Sequence, residues 1–167
     1  AAWQSAIQHK VGPTVLALSR QALHMQPRDE QQIKDITKGG YVLYQTPEKT
    51  PEIILMATGS EVEMTRVAAL ELEKKGHAVR LVSMPCVEVF LRQTHSYQDS
   101  VLPESIVKRV AVEAGSTGYW LRFVGSEGEV VGIDRFGESA PAAQLYEAFG
   151  LTSVDIEKVA LRIIKRG

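Results

Sequence analysis

The sequence predicts a three-layer α/β fold, in which helices cover both faces of a wound, mostly parallel sheet of about five strands. Short apolar runs typical of buried strands alternate with amphipathic segments typical of helices, as they do when crossover helices connect parallel strands. The chain has 167 residues, 44% of them hydrophobic and 23% charged. This length and composition suffice for one self-contained core.

The first 25 residues are predicted to form one helix and one strand. An amphipathic helix is expected over residues 2–9, where Trp3 and Ile7 share a face. After a Gly-Pro break, the apolar run at residues 14–18 predicts a strand buried on both faces. One helix and one strand are too little for a domain. We therefore expect residues 1–25 to be the tail of a preceding α/β domain in a longer protein.

Residues 26–40 are polar and predict a linker with a short helix, after which residues 41–167 form a second unit. In this unit, Ser60–Glu63 matches a capping box and Gly76 a helix C-cap. Strands are predicted at 41–45, 52–57, 78–84, 109–113 and 130–133. Helices are predicted at 60–75, at one or two places within 87–100, at 140–149 and at 153–165.

Charge and composition exclude several classes of protein. The chain has 19 basic and 20 acidic residues and a net charge of -1, so it lacks the basic excess that nucleic acid or an anionic membrane would require. Its longest apolar runs are far shorter than the roughly 20 residues that span a bilayer. The single cysteine, Cys86, allows no intrachain disulfide, and we expect a reducing, cytoplasmic location.

Most candidate sites have a structural explanation. The turn at Ala57–Ser60 joins a strand to a helix, where α/β folds often bind phosphate, but Glu61 and Glu63 would repel an anion. The four histidines share no metal-ligand spacing, and nothing in the sequence places an activating base beside Cys86. Glu113 closes an apolar strand, where it either faces a cleft or has a structural role; the structural role is favoured.

Arg20 is the strongest candidate for ligand binding. It follows the predicted strand at residues 14–18 directly, so a rigid element would direct its guanidinium toward the edge of the sheet. This planar group suits bidentate contact with a phosphate or a carboxylate. From composition alone, a surface salt bridge explains Arg20 equally well.

Motifs along nearly the whole chain resemble those of transketolases, in the same order and at similar spacing. They are Gly12-Pro13-Thr14, Leu18-Ser19-Arg20-Gln21, Gly39–Leu43, Ala57–Val62, Val82–Pro85, Ser100–Pro103, Val110–Ala114 and Phe136–Pro141. The resemblance implies that residues 1–25 end a pyrimidine-binding domain, that residues 26–40 are a linker, and that residues 41–167 are a transketolase C-terminal domain.

The resemblance also implies an activity for the full-length protein. Transketolases use thiamine diphosphate and a divalent metal, Mg or Ca, to move a two-carbon ketol group from a ketose phosphate to an aldose phosphate in the pentose phosphate pathway. They are homodimers, and the arginine of the Leu-Ser-Arg-Gln motif, here Arg20, binds the terminal phosphate of the sugar. No catalytic, cofactor-binding or metal-binding residue of the family maps onto this chain, so the fragment is expected to be inactive alone and to bind no cofactor.

Two alternatives stay open. One is dihydroxyacetone synthase or another thiamine-diphosphate enzyme that acts on sugar phosphates, because the Leu-Ser-Arg-Gln motif does not separate these from transketolase. The other is a separately expressed assembly module. The sequence departs from the family at Cys86–Val89 and Gly115–Trp120, which leaves the preferred donor and acceptor open.

Overall fold

The computed structural model describes residues 1–166; Gly167, the last residue of the predicted second unit, lies outside the described residues. Five strands form one sheet: β1 (Tyr41–Gln45), β2 (Ile53–Ala57), β3 (Val79–Ser83), β4 (Arg109–Val112) and β5 (Glu129–Val131). The α-helices are α1 (Ala2–Gln8), α2 (Glu30–Asp35), α3 (Glu61–Lys74), α4 (Val87–Leu91), α5 (His95–Val101), α6 (Leu121–Val124), α7 (Ala142–Ala148) and α8 (Ser153–Ile164). Short 3₁₀ turns lie at Ile36–Lys38 and Thr117–Tyr119.

The strand order is β1-β3-β2-β4-β5. β2 pairs in parallel with β3 and β4, β4 pairs in parallel with β5, and β1 runs antiparallel to β3 at one edge. The carboxyl ends of β2, β3 and β4 therefore meet at one edge of the sheet, beside the start of α3. The predicted wound, mostly parallel sheet of about five strands is confirmed.

β2 is the centre of the core, and all five of its residues are fully buried. Alternate side chains point to opposite faces of a strand. Ile53, Leu55 and Ala57 accordingly join a cluster with apolar residues of α3 and α8. Ile54 and Met56 join a second cluster with α4, α5 and α6 on the other face. These two clusters fill the space between the sheet and the helices that cover its two faces.

The predicted strand at residues 14–18 does not form. These residues have no regular secondary structure, and Val15 and Leu18 are 87% and 86% exposed. A strand needs a neighbour that satisfies its backbone N–H and C=O groups. Within the described residues the sheet has β1 and β5 at its edges, and neither pairs with this segment. The apolar run therefore gave a wrong strand prediction for this chain.

The predicted capping box at Ser60 is also wrong. Ser60 has a helical backbone (φ −66°, ψ −27°), and its hydroxyl donates to the Glu61 carboxylate instead of accepting from the helix. Capping by a side chain needs an extended backbone at the N-cap. That geometry occurs at Asp29, where a complete capping box with Gln32 opens α2. The prediction for Gly76 is confirmed, because this residue ends α3 with φ of +93°.

One short helix lies outside the predicted elements. The short helix α6 was not predicted, although Phe123 within it is buried in the second cluster. Among helices within residues 1–166, none combines the length and the apolar character that crossing a membrane requires.

Candidate functional site

Arg20 lies in the irregular segment that joins α1 to α2. Its side chain is exposed, and it takes part in none of the salt bridges or hydrogen bonds formed within residues 1–166. The expectation that a rigid strand directs this guanidinium does not hold, because residues 14–18 form no strand. The hydrogen bonds to the sheet domain nearest to Arg20 come from residues that follow it, Gln21 and His24.

Gln21 links this segment to the sheet domain. Its side-chain amide donates a hydrogen bond of 3.1 Å to the hydroxyl of Tyr146 on α7. The Tyr146 hydroxyl donates in turn to Glu61 Oε1 at 2.7 Å, and Ser60 Oγ donates to the same oxygen at 2.8 Å. Glu61 is only 4% exposed. It begins α3 at the carboxyl edge of β2, so Arg20 lies near that edge.

The phenol of Tyr146 remains protonated in this arrangement. Burial raises the pKa of Tyr146 above its ordinary value, and the hydrogen bond and charge of Glu61 raise it further. A carboxylate only accepts hydrogen bonds, so the single proton of the phenol is directed at Glu61. The lone pairs of the Tyr146 oxygen are thereby left to accept from Gln21.

A second contact holds the segment three residues later. His24 Nδ1 lies 2.7 Å from Glu63 Oε1, with His24 and Glu63 side chains that are 88% and 39% exposed. A pair this exposed contributes little stability. Farther along, Arg28 donates to the Tyr41 hydroxyl at 2.6 Å and to the Gln26 carbonyl at 2.8 Å, which fixes the chain before α2.

A cavity of about 340 Å³ lies between residues 23–28 and the carboxyl edge of the sheet. His24, Arg28, Ser60 and Glu63 are among the residues that line it. Its donor set does not fit a diphosphate, because the Arg28 guanidinium already donates to Tyr41 and Gln26 and the Glu63 carboxylate would repel an anion. The cavity therefore supplies no obvious phosphate site.

Glu113 has a structural role in this fold. Its carboxylate accepts a hydrogen bond from the indole N–H of Trp120, a side chain that is 1% exposed. Trp120 packs in the second core cluster with Phe123. Glu113 therefore satisfies a buried donor at the end of β4.

The remaining candidates do not come together. Each histidine has its own separate partner: His9 the Val11 carbonyl, His24 Glu63, His77 Glu52 and His95 Glu104. Cys86 is half-buried, and its Sγ lies 3.6 Å from the Glu88 carboxylate. Such a carboxylate does not stabilise a thiolate. Among residues 1–166, no three His, Cys, Asp or Glu side chains form a group that could hold a metal ion.

No sequence pattern indicates the contact between Gln21, Tyr146 and Glu61. Glu61 was expected only to repel an anion at the turn before α3, and the structure shows that it is also buried and hydrogen-bonded. Tyr146 lies 125 residues from Gln21 and 85 from Glu61 along the chain. No spacing rule connects residues so far apart, so only the folded chain reveals their contact.

Comparisons with known proteins agree on one family. The family described as the transketolase-like TK C-terminal domain matches residues 39–152. Transketolase 1 of Vibrio vulnificus is 47% identical over 163 residues, which are 98% of this chain and 24% of that protein. A plasmid transketolase of Cupriavidus necator is 53% identical over 159 residues, which are 95% of this chain and 23% of that protein.

The solved structures extend the similarity to the fold. A transketolase from Leishmania mexicana superposes with a TM-score of 0.89 at 35% identity, over 99% of this chain and 23% of that one. The chain thus spans about a quarter of the length of the relatives that it matches. By the match over residues 39–152 and these similarities, the chain belongs to the transketolase C-terminal domain family.

Proposed function

We propose that this chain is the C-terminal part of a transketolase that transfers a two-carbon ketol group from a ketose phosphate to an aldose phosphate. Within that enzyme, Arg20 binds the terminal phosphate of the sugar. The observation that carries this role is the state of the side chain: its guanidinium is exposed and has no ion-pair partner within residues 1–166. The neighbouring residue, Gln21, is tethered to the sheet domain.

The chemistry of arginine suits this role. The guanidinium is planar, always charged, and offers paired donors that match two phosphate oxygens. A phosphate lies remote from the carbonyl that reacts. Binding energy gained there can offset the cost of orienting the reacting end of the sugar.

Thiamine diphosphate and its divalent metal belong, in this proposal, to other parts of the full-length enzyme. The turn between β2 and α3 does not fit a diphosphate, because Glu61 and Glu63 place two carboxylates in the first turn of the helix. When bound, the cofactor supplies the carbanion chemistry of ketol transfer. The present chain contributes Arg20 and a folded support for it in a cytoplasmic homodimer of the pentose phosphate pathway.

The test is the substitution Arg20→Ala in the full-length enzyme. Loss of a bidentate, charge-assisted contact is expected to lower kcat/KM for a phosphorylated ketose donor by about 100-fold. An unphosphorylated donor with the same reacting end should lose less than about threefold. Arg20→Lys should recover part of the loss, since it keeps the charge without the paired donors. The measurement is steady-state kinetics with both donors.

Arg92→Ala is a matched control. Arg92 is also an exposed arginine without an ion-pair partner among the described residues, and its loss should leave both donors unaffected. Equal losses with phosphorylated and unphosphorylated donors in Arg20→Ala would remove Arg20 from the phosphate site.

A further inference from the structure

We infer that Tyr146 and Glu61 are positioning residues for substrate phosphate, because they hold the segment of Arg20 through Gln21. This inference rests on the proposed role of Arg20 and assigns the C-terminal domain a part in it. The path runs from the Gln21 amide to the Tyr146 hydroxyl and on to the Glu61 carboxylate. It connects the residue next to Arg20 to the beginning of α3.

The segment around Arg20 has few other restraints. Among the described residues, no backbone–backbone hydrogen bond involves residues 10–28. Within residues 1–166, two side-chain hydrogen bonds join residues 10–25 to the sheet domain: Gln21 with Tyr146, and His24 with Glu63. The His24 side chain is 88% exposed, so solvent competes with its contact. The half-buried Gln21 is therefore the main tether, one residue from Arg20.

The tether has a fixed direction. Glu61 accepts from Ser60 and Tyr146 and cannot donate as a carboxylate. The Tyr146 proton must then point to Glu61, and only a hydrogen-bond donor can approach the other side of the phenol oxygen. This selects one orientation of the Gln21 amide, with its nitrogen toward Tyr146.

The far end of the tether is anchored in the core. Glu61 is followed in α3 by Val62, Ala68 and Leu72, which are buried against the sheet. Tyr146 packs against the same cluster from α7. The position of Gln21 is therefore held relative to the rigid sheet. Since an error of about 1 Å in a binding group can cost two orders of magnitude in rate, such a support matters for Arg20.

The test uses Tyr146→Phe in the full-length enzyme, which removes the hydroxyl and keeps the ring. KM for phosphorylated donors and acceptors is expected to rise about three- to tenfold, as for the loss of one or two hydrogen bonds. The value of kcat should stay within about twofold, and unphosphorylated substrates should be unaffected. Gln21→Leu should give the same pattern. The double variant should be no worse than either single one, because both break the same path.

Tyr44→Phe is the matched control. Tyr44 is also a half-buried tyrosine whose hydroxyl donates to a carboxylate of α3, Glu73. Its contact lies near the other end of that helix. The loss of its hydroxyl should lower the melting temperature comparably and leave KM for phosphorylated substrates unchanged.

Each outcome decides for or against the tether. If Arg20→Ala is selective for phosphorylated substrates but Tyr146→Phe and Gln21→Leu are not, the tether is overturned and the role of Arg20 stands. Additive effects of Tyr146→Phe and Gln21→Leu would also overturn it. If Arg20→Ala is itself unselective, the proposed function fails and the tether fails with it. Should Tyr146→Phe fold poorly, Gln21→Leu decides alone, since it alters only the irregular segment.

Discussion

The buried indole N–H of Trp120 explains why Glu113, a candidate site residue, has a structural role. The Trp120 side chain is almost fully buried, and its indole N–H is satisfied by the Glu113 carboxylate. A buried donor without an acceptor costs about 1–3 kcal/mol. Glu113 therefore stabilises the fold, at a position where the sequence alone also allowed a role in a cleft.

Replacement of this carboxylate gives a test of stability. Glu113→Ala should lower the free energy of unfolding of the chain by about 1–3 kcal/mol, because it leaves the indole N–H of Trp120 without a partner. Glu113→Gln keeps an acceptor and should cost less than about 1 kcal/mol. Urea unfolding followed by tryptophan fluorescence measures both. Equal stability of the two variants would show that Trp120 does not depend on this contact.

At the level of elements, the last helix is attached to the edge of the sheet by charge. Arg162 and Arg166, in and just after the last turn of α8, both bind the Glu129 carboxylate on β5. Lys108 also donates to the Ile164 carbonyl at 2.8 Å. Basic side chains near the end of a helix also complement the negative end of its dipole. The structure adds a contact between α8 and β5.

The ion pairs of Glu129 predict that the stability of the folded chain depends on pH. The hydrogen bond from Arg162, with the charges of Arg162 and Arg166, holds the pKa of Glu129 below its ordinary value of 4.5. Folding thus favours the ionised form. The contribution is complete above pH 4.5 and is lost as the pH falls through the lower pKa of the folded state.

Glu129→Gln should therefore destabilise the chain at pH 7 by about 1 kcal/mol or less. The difference from the unsubstituted chain should shrink as the pH falls below about 4. Melting temperatures of both chains, measured from about pH 3 to about pH 7, test this. Glu127→Gln is the control, because Glu127 is an exposed carboxylate with no ion pair in the described part of the chain. A difference that grows in acid would contradict the assignment.

For the whole molecule, buried and exposed apolar side chains are unevenly distributed along the chain. Residues 41–166 contain both core clusters apart from Ile36, which packs on the first. Large apolar side chains are exposed within residues 1–25: Trp3, Ile7, Val11, Val15, Leu18, Leu23 and Met25. This distribution is what we expect if residues 1–25 pack on another domain of the proposed enzyme.

The chain by itself should show no ketol transfer and no measurable binding of thiamine diphosphate. No three His, Cys, Asp or Glu side chains of the described residues form a group that could hold a metal ion, and the turn before α3 presents carboxylates to an incoming diphosphate. Isothermal titration with thiamine diphosphate and Mg²⁺ measures this, with the full-length enzyme as the positive control. Micromolar affinity of the isolated chain would contradict the assignment of roles.

Local pattern was enough to predict most of the fold. β1 was predicted at its observed bounds, and β2 and α3 to within one residue at each end, because burial of apolar side chains leaves a regular trace in the sequence. The same reasoning failed at residues 14–18, because an apolar run does not specify whether a neighbouring strand is present. It failed at Ser60 because a capping motif does not fix the backbone conformation.

The sequence by itself determined the class of fold, the family resemblance and Arg20 as the candidate for phosphate binding. Only the tertiary structure decided what Gln21, Glu61 and Glu113 contact. The physical reason is distance along the chain. Hydrophobic periodicity is a local property, whereas Tyr146 meets Gln21 and Glu61 only after the sheet is wound and α7 returns to the start of α3.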